Sequence, residues 1–279
     1  MLFRSKEATS YSNGKAFVID HLIQAPQTSV YGCLNDNSQF SKFLDLCTPA
    51  NLSNLLTSIG MKTDEQKQFT VFSDVFANNT TENKKYDCLD QNVNFYNTYN
   101  YTLYAPDNKA MDLAFEQGLP TWEQVQEVMD NASANDENAK AKALKMAEAI
   151  RNFIRYHFQD FALYADNTID YGDAQEVENG NRSYMTSCTI GSAYKRLKVK
   201  GGSGKLNVTD EGGDPVIINA NGDKLVNFMA RDYIFKSGAI ETSSFTAIHE
   251  ISKPLCFSRS KRYDDGFASN TPEANQARR

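Results

Sequence analysis

The order of its segments predicts an α+β fold, with mostly antiparallel strands joined to a cluster of α-helices rather than alternating βαβ units. Helical periodicity falls between residues 38 and 158, whereas residues 184 to 251 read as consecutive strands. Glycine- and asparagine-rich turns, "GGSG", "DEGGDP" and "NANGD", separate several of those strands, as hairpins require.

The elements follow in order. "AFVIDHLIQ", residues 16–24, reads as a strand, and "APQTS" turns the chain after it. Phe40, Phe43, Leu44 and Cys47 share a helical face, with Ser38 as the expected cap. Pro49 interrupts this helix. Leu52, Leu55, Leu56 and Ile59 then repeat the pattern, and Gly60 closes it. "FTVFSDVFANN" is ambiguous between strand and helical turn. Residues 82–100 are polar, rich in Asn and Tyr, and read as a long loop. "YTLYAPDN" supplies a short strand, then Ala105-Pro106, then Asp107 as a helix cap ahead of Ala110, Met111, Ala114 and Phe115. Thr121 and Gln124 in "TWEQ" have the spacing of a capping box and open another helix. A long helix spans about Asn138 to Phe158, with Met146, Ile150, Phe153, Ile154 and His157 on one face. Residues 166–183 read as an Asp/Asn/Gly-rich loop. The strands are "YMTSCTI", "YKRLKVK", "KLNVTD", "PVIINA", "LVNFMARDYIF" and "FTAIHEI".

With 279 residues and a 41% apolar fraction, the chain can bury a substantial core. Its net charge of −6, without a dense basic run, argues against nucleic acid as a partner. No apolar run is long enough to cross a bilayer. Residues 1–10 contain no apolar export segment, which says little if Met1 lies inside a longer protein. The five cysteines, at 33, 47, 88, 188 and 256, form no C-x-x-C pair and no zinc spacing. Cys47 and Cys188 lie among apolar neighbours and read as small core residues. Whether Cys33, Cys88 or Cys256 joins a disulfide stays open. No cofactor or metal site is expected.

His157 is one of three histidines. Catalysis would need a nucleophile in reach, but there is no G-x-S-x-G elbow; metal binding would need neighbouring ligands, but there is no H-E-x-x-H. The expected role is a buried, hydrogen-bonded imidazole on a core face. Trp122, the only tryptophan, reads as a packing residue in a helix's first turn, with a ligand platform as the alternative. The Tyr/Asn-rich stretch from 86 to 104 suits contacts with sugars or proteins as well as it suits a loop lying on its own domain. Tyr96, Tyr99, Tyr101 and Trp122 are therefore the candidate ligand contacts. The glycines of "GGSG" read as hairpin turns, because no helix follows to cradle a phosphate. The acidic residues 164–179 lack calcium-loop spacing.

Three segments together resemble fasciclin domains. "YTLYAPDNKAMDLAF" is similar to the family's first signature through Thr102, Ala105, Pro106, Asn108, Ala110 and Phe115. "IRNFIRYHF" resembles the second, which closes on a Tyr-His pair, here Tyr156 and His157. "SSFTAIHEISKPL" resembles the closing strand, although it lacks the usual Asn-Gly. The resemblance reaches from about Thr28 to Phe257, with loops at 82–100, 119–140 and 166–183 longer than the family norm. It implies a β-wedge or sandwich with clustered helices, in which the Tyr-His pair is structural. His157 is then expected near Asp107 and Asn108. "NGKAFVIDH" also resembles a closing strand, so residues 1–26 are expected to be the tail of a preceding fasciclin domain. Residues 27–257 form the domain, and 258–279 a polar flexible tail. There is no Arg-Gly-Asp, and integrin binding is not carried over.

The expected function is a non-enzymatic extracellular adhesion module on a cell surface, contacting polysaccharide or protein through loops on a rigid core. The composition points to a secreted bacterial protein, with a lipid anchor upstream as one form of display. The alternatives are a periplasmic or secreted enzyme or ligand carrier with a cleft near His157, and an architectural spacer.

Overall fold

A computed structural model of the chain describes residues 5–19, 26, 28–73, 88–89, 100–133, 135–165, 176–178, 181–213, 215–222, 224–236 and 239–257. The first strands, β1 (Ser5–Tyr11) and β2 (Gly14–Ile19), pair as an antiparallel hairpin. Helices α1 (Val30–Asp36), α2 (Ser41–Cys47), α3 (Leu52–Ile59) and the single turn α4 (Thr63–Gln66) follow. Two short strands, β3 (Phe72–Ser73) and β4 (Cys88–Leu89), pair with each other. Next come β5 (Asn100–Pro106), α5 (Asn108–Glu116), α6 (Trp122–Asp130), α7 (Glu137–Tyr156) and β6 (Phe158–Asp160). The remainder is all strand: β7 (Glu176–Glu178), β8 (Asn181–Ile190), β9 (Ala193–Gly202), β10 (Lys205–Thr209), β11 (Pro215–Asn219), β12 (Phe228–Lys236) and β13 (Ala239–Ile251).

The fold is α+β, as the element order predicts. Nine strands form one sheet in the order β11-β10-β9-β8-β6-β5-β13-β12, with β7 paired to β8. Every pairing in it is antiparallel except β13 with β5, where Ile248 lies opposite Leu103 and Ile251 opposite Pro106. Alternation sets the buried face: Leu206 and Val208 of β10, and Val216 and Ile218 of β11, point inward, while Ile217 stands exposed between its neighbours. The sheet curls, and the turn after β10 reaches the chain that leaves β13, where the Gly212 N–H donates to the Cys256 carbonyl at 2.9 Å.

Helices pack on this sheet, α7 against β8 and β6, α5 against β5 and α1 against β12. Buried positions on α7 include Ala143, Ala147, Ile150, Phe153 and Ile154, the spacing of a core-facing stripe. Asp136 caps it by accepting from the Asn138 and Ala139 N–H groups. The capping box of α6 is formed in both directions, with Gln124 N–H to Thr121 Oγ1 at 3.3 Å and Thr121 N–H to Gln124 Oε1 at 3.0 Å. Gly60 ends α3 with φ +101°, a conformation open to glycine.

Several local expectations need correction. Ser38 does not cap a helix. It begins a 3-10 turn, and the cap in this region is Ser29, whose Oγ accepts from the Gly32 N–H at the start of α1. The loop expected at 166–183 contains strand at Glu176–Glu178 and again from Asn181 onward. Cys33, Cys47, Cys188 and Cys256 are buried free thiols, so the open disulfide question closes for Cys33 and Cys256. Most of the 82–100 loop, the ends of the 1–26 segment and the tail beyond 257 lie outside the described residues.

Candidate functional site

The three motif segments meet in one buried junction. Segment one is β5 and the start of α5. Thr102 donates through Oγ1 to the Phe161 carbonyl at 2.7 Å and accepts from the Leu163 N–H at 2.9 Å. Ala105 is buried in parallel register with Glu250 of β13. Pro106, which has no N–H to give, ends the strand opposite Ile251. Asp107 then caps α5, accepting from the Ala110 N–H at 2.7 Å, while its own N–H donates to the Ile251 carbonyl. Asn108 fastens the opening helices: its Nδ2 donates to the Ser38 carbonyl and its Oδ1 accepts from the Lys42 N–H. Phe115, half-buried near the end of α5, packs against the core.

Segment two is the end of α7. Tyr156 is fully buried and uses both capacities of its hydroxyl, donating to the Arg196 carbonyl and accepting from the Glu211 N–H, each at 3.0 Å. Phe257 meets its ring edge-on at 5.4 Å. Burial drives the Tyr156 phenol far above the ordinary tyrosine range. The next residue, His157, is also fully buried. Its Nδ1 lies 2.8 Å from the Phe153 carbonyl, and its Nε2 accepts from the Leu255 N–H at 3.1 Å. The second bond requires a bare Nε2, so the proton sits on Nδ1 and the ring is neutral. Asp107 and Asn108 are not its partners. Those side chains serve the caps of α5 and α2 instead, which corrects the pairing expected from the sequence.

Segment three contributes a second histidine of the same kind. His249 on β13 is fully buried, with Nε2 2.7 Å from the Leu163 carbonyl and Nδ1 accepting from the Asn227 N–H at 3.1 Å. Its tautomer is therefore the opposite one. Tyr104 stacks on it at 6.2 Å. Burial lowers both imidazoles to about 4, against the opposing pull of the carbonyl each one faces. Neither ring has a free nitrogen for acid–base chemistry.

Sequence reasoning missed Asn227, whose backbone sits at φ +56° and whose side-chain oxygen accepts from the Ala165 N–H. It also missed Asp210, which accepts from the Cys256 and Gly213 N–H groups. Their contacts to Ala165 and Cys256 reach backbone groups far away in the chain, so no spacing announces those two bonds.

Of the candidate ligand contacts, Tyr96 and Tyr99 lie outside the described residues. Tyr101 is 2% exposed in β5 and offers no surface to a ligand. Trp122 is 6% exposed and anchored by its indole N–H to the Leu46 carbonyl at 2.9 Å, so it does not stand out as a platform. It does help to line an open cavity of about 640 Å³ between α2, α3, α5 and α6. Among the described residues, no three His, Cys, Asp or Glu side chains are grouped to hold a metal ion. No described helix is long and apolar enough to cross a membrane.

No protein-family model matches the chain, and no curated protein matches it. One similar solved structure is a FAS1 domain pair from the insect cell adhesion molecule Fasciclin I. The two are 12% identical with a TM-score of 0.34, and the match covers 91% of this chain and 66% of that one.

Proposed function

We propose that the chain is a non-enzymatic binding module, displayed outside the cell, that recognises a surface protein or polysaccharide. The observation that supports this reading is the use made of the Tyr156-His157 pair and of His249. Every polar atom of these three side chains is committed to a backbone group, and all of those groups except the Phe153 carbonyl lie in another segment. The residues that look most like chemistry in the sequence thus act as brackets joining α7, β13 and the turns around them. Recognition is left to the outer surfaces of a rigid frame. Residues 1–26 as the tail of a preceding domain, and an anchor upstream, belong to the same proposal.

Purified protein applied to glycan and surface-protein arrays tests it. Saturable binding with no product released is the expected result. Product release would favour an enzyme acting elsewhere on the chain. Silence on both arrays would favour a spacer.

A further inference from the structure

We propose that the groove between α2, α3, α5 and α6 docks a cationic peptide segment of a partner protein, one in which Arg or Lys alternates with apolar side chains. The proposal rests on the binding-module reading and names its partner. The floor of the groove is apolar, formed by Leu46, Leu55, Phe115 and Trp122. At about 640 Å³ it has the volume of a few side chains. The rim is acidic, with Asp45, Asp112, Glu123, Glu127 and Asp130 set against a single cation, Lys42. Lys42 is already paired with Asp112, which leaves four carboxylates. Asp130 accepts from the neutral Gln126 amide. Among the described residues, Asp45, Glu123 and Glu127 have no ion pair.

This combination selects the partner. A metal ion needs carboxylates grouped within ligating distance, and no such group exists among the described residues. An acidic glycan would be repelled by the rim, and a neutral one would leave the carboxylates without a counter-charge. A peptide carrying Arg or Lys beside Leu or Phe meets both demands. Its apolar side chains cover the floor, and its cationic side chains lie along the walls with their charges at the rim. Pro49 and the left-handed Asn51, at φ +57°, turn the chain between α2 and α3, and the capping box fixes where α6 begins.

Trp122 is the only tryptophan and lines the groove, so its emission reports occupancy. The probes are three acetylated, amidated octapeptides alternating Arg with Leu, Arg with Gly, and Glu with Leu. The expected result is a saturable change in emission with the Arg–Leu peptide alone, weakened by 0.5 M salt. A triple variant, Asp45→Asn, Glu123→Gln and Glu127→Gln, weakens binding about tenfold or more. Lys198→Gln with Lys205→Gln, on the distant strands β9 and β10, leaves it unchanged. An equal response to the Arg–Gly peptide reduces the effect to general charge attraction and overturns the proposal. So does a flat response, or a triple variant that binds as well as the parent. If the triple variant does not fold, the salt dependence and peptide selectivity of the parent still decide. Array binding together with a flat Trp122 response removes the groove and keeps the binding-module reading; silence in both removes both.

Discussion

The bare Nε2 of His157 accepts the N–H of Leu255 at 3.1 Å, joining residues 98 positions apart. The bond links the end of the long helix to the chain that leaves the last strand. Because its other nitrogen faces the Phe153 carbonyl, the ring spans two buried backbone groups. Replacing His157 by Ala removes both hydrogen bonds and leaves a cavity beside Phe43 and Phe153. The expected cost is about 2–4 kcal/mol. Urea unfolding of the variant and the parent measures it, and an unchanged midpoint would show that the ring is not a bracket.

Acid should weaken the protein in a defined window. Both buried imidazoles titrate near 4 in the fold and near 6.5 in the unfolded chain. Between those values the unfolded state binds protons that the fold refuses. Their contribution is complete above pH 6.5 and is lost as pH falls toward 4. Each histidine gives a slope of about 1.4 kcal/mol per pH unit across that range. Denaturant titrations at several pH values read the slope, and a flat profile from pH 6.5 to 4.5 contradicts the assignment.

Tyr156→Phe keeps the ring packed against Phe257 and removes only the hydroxyl that joins Arg196 to Glu211. The expected loss is about 1–2 kcal/mol, smaller than for His157→Ala, because the ring volume is retained. A thermal melt in which the tyrosine variant is the weaker of the two would reverse this ranking.

Thr121→Ala removes one half of the capping box on α6 and should cost about 1 kcal/mol. The same change loosens one wall of the groove. Amide hydrogen exchange should rise first at Glu123 and Gln124, and uniform exchange along α6 would argue against a local effect.

Burial raises the thiols of Cys33 and Cys188 to about 12 and that of Cys47 well above its ordinary value. In the native protein at pH 8, a maleimide should leave all three unmodified, as peptide mass mapping would show. Denaturant should release them together. Rapid native labelling at any of the three would contradict its placement in the core.

Residue pattern alone was sufficient for much of the frame. The stripe on α7, the Asp107 cap, the α6 capping box and the strands from Tyr184 to Ile251 are local, and periodicity or a three-residue spacing carries each one. A buried role for His157 was also legible, because no nucleophile or ligand set accompanied it. What the chain could not announce were the partners. The Leu255 N–H, the Leu163 carbonyl and the Asn227 N–H are backbone groups, identical in every residue and therefore without a signature in sequence. The parallel register of β5 against β13 was equally hidden, since alternation orients the faces of a strand but not its neighbour. The acidic groove collects Asp45, Asp112 and Glu127 from three helices, and only their packing puts an excess of negative charge around one apolar floor.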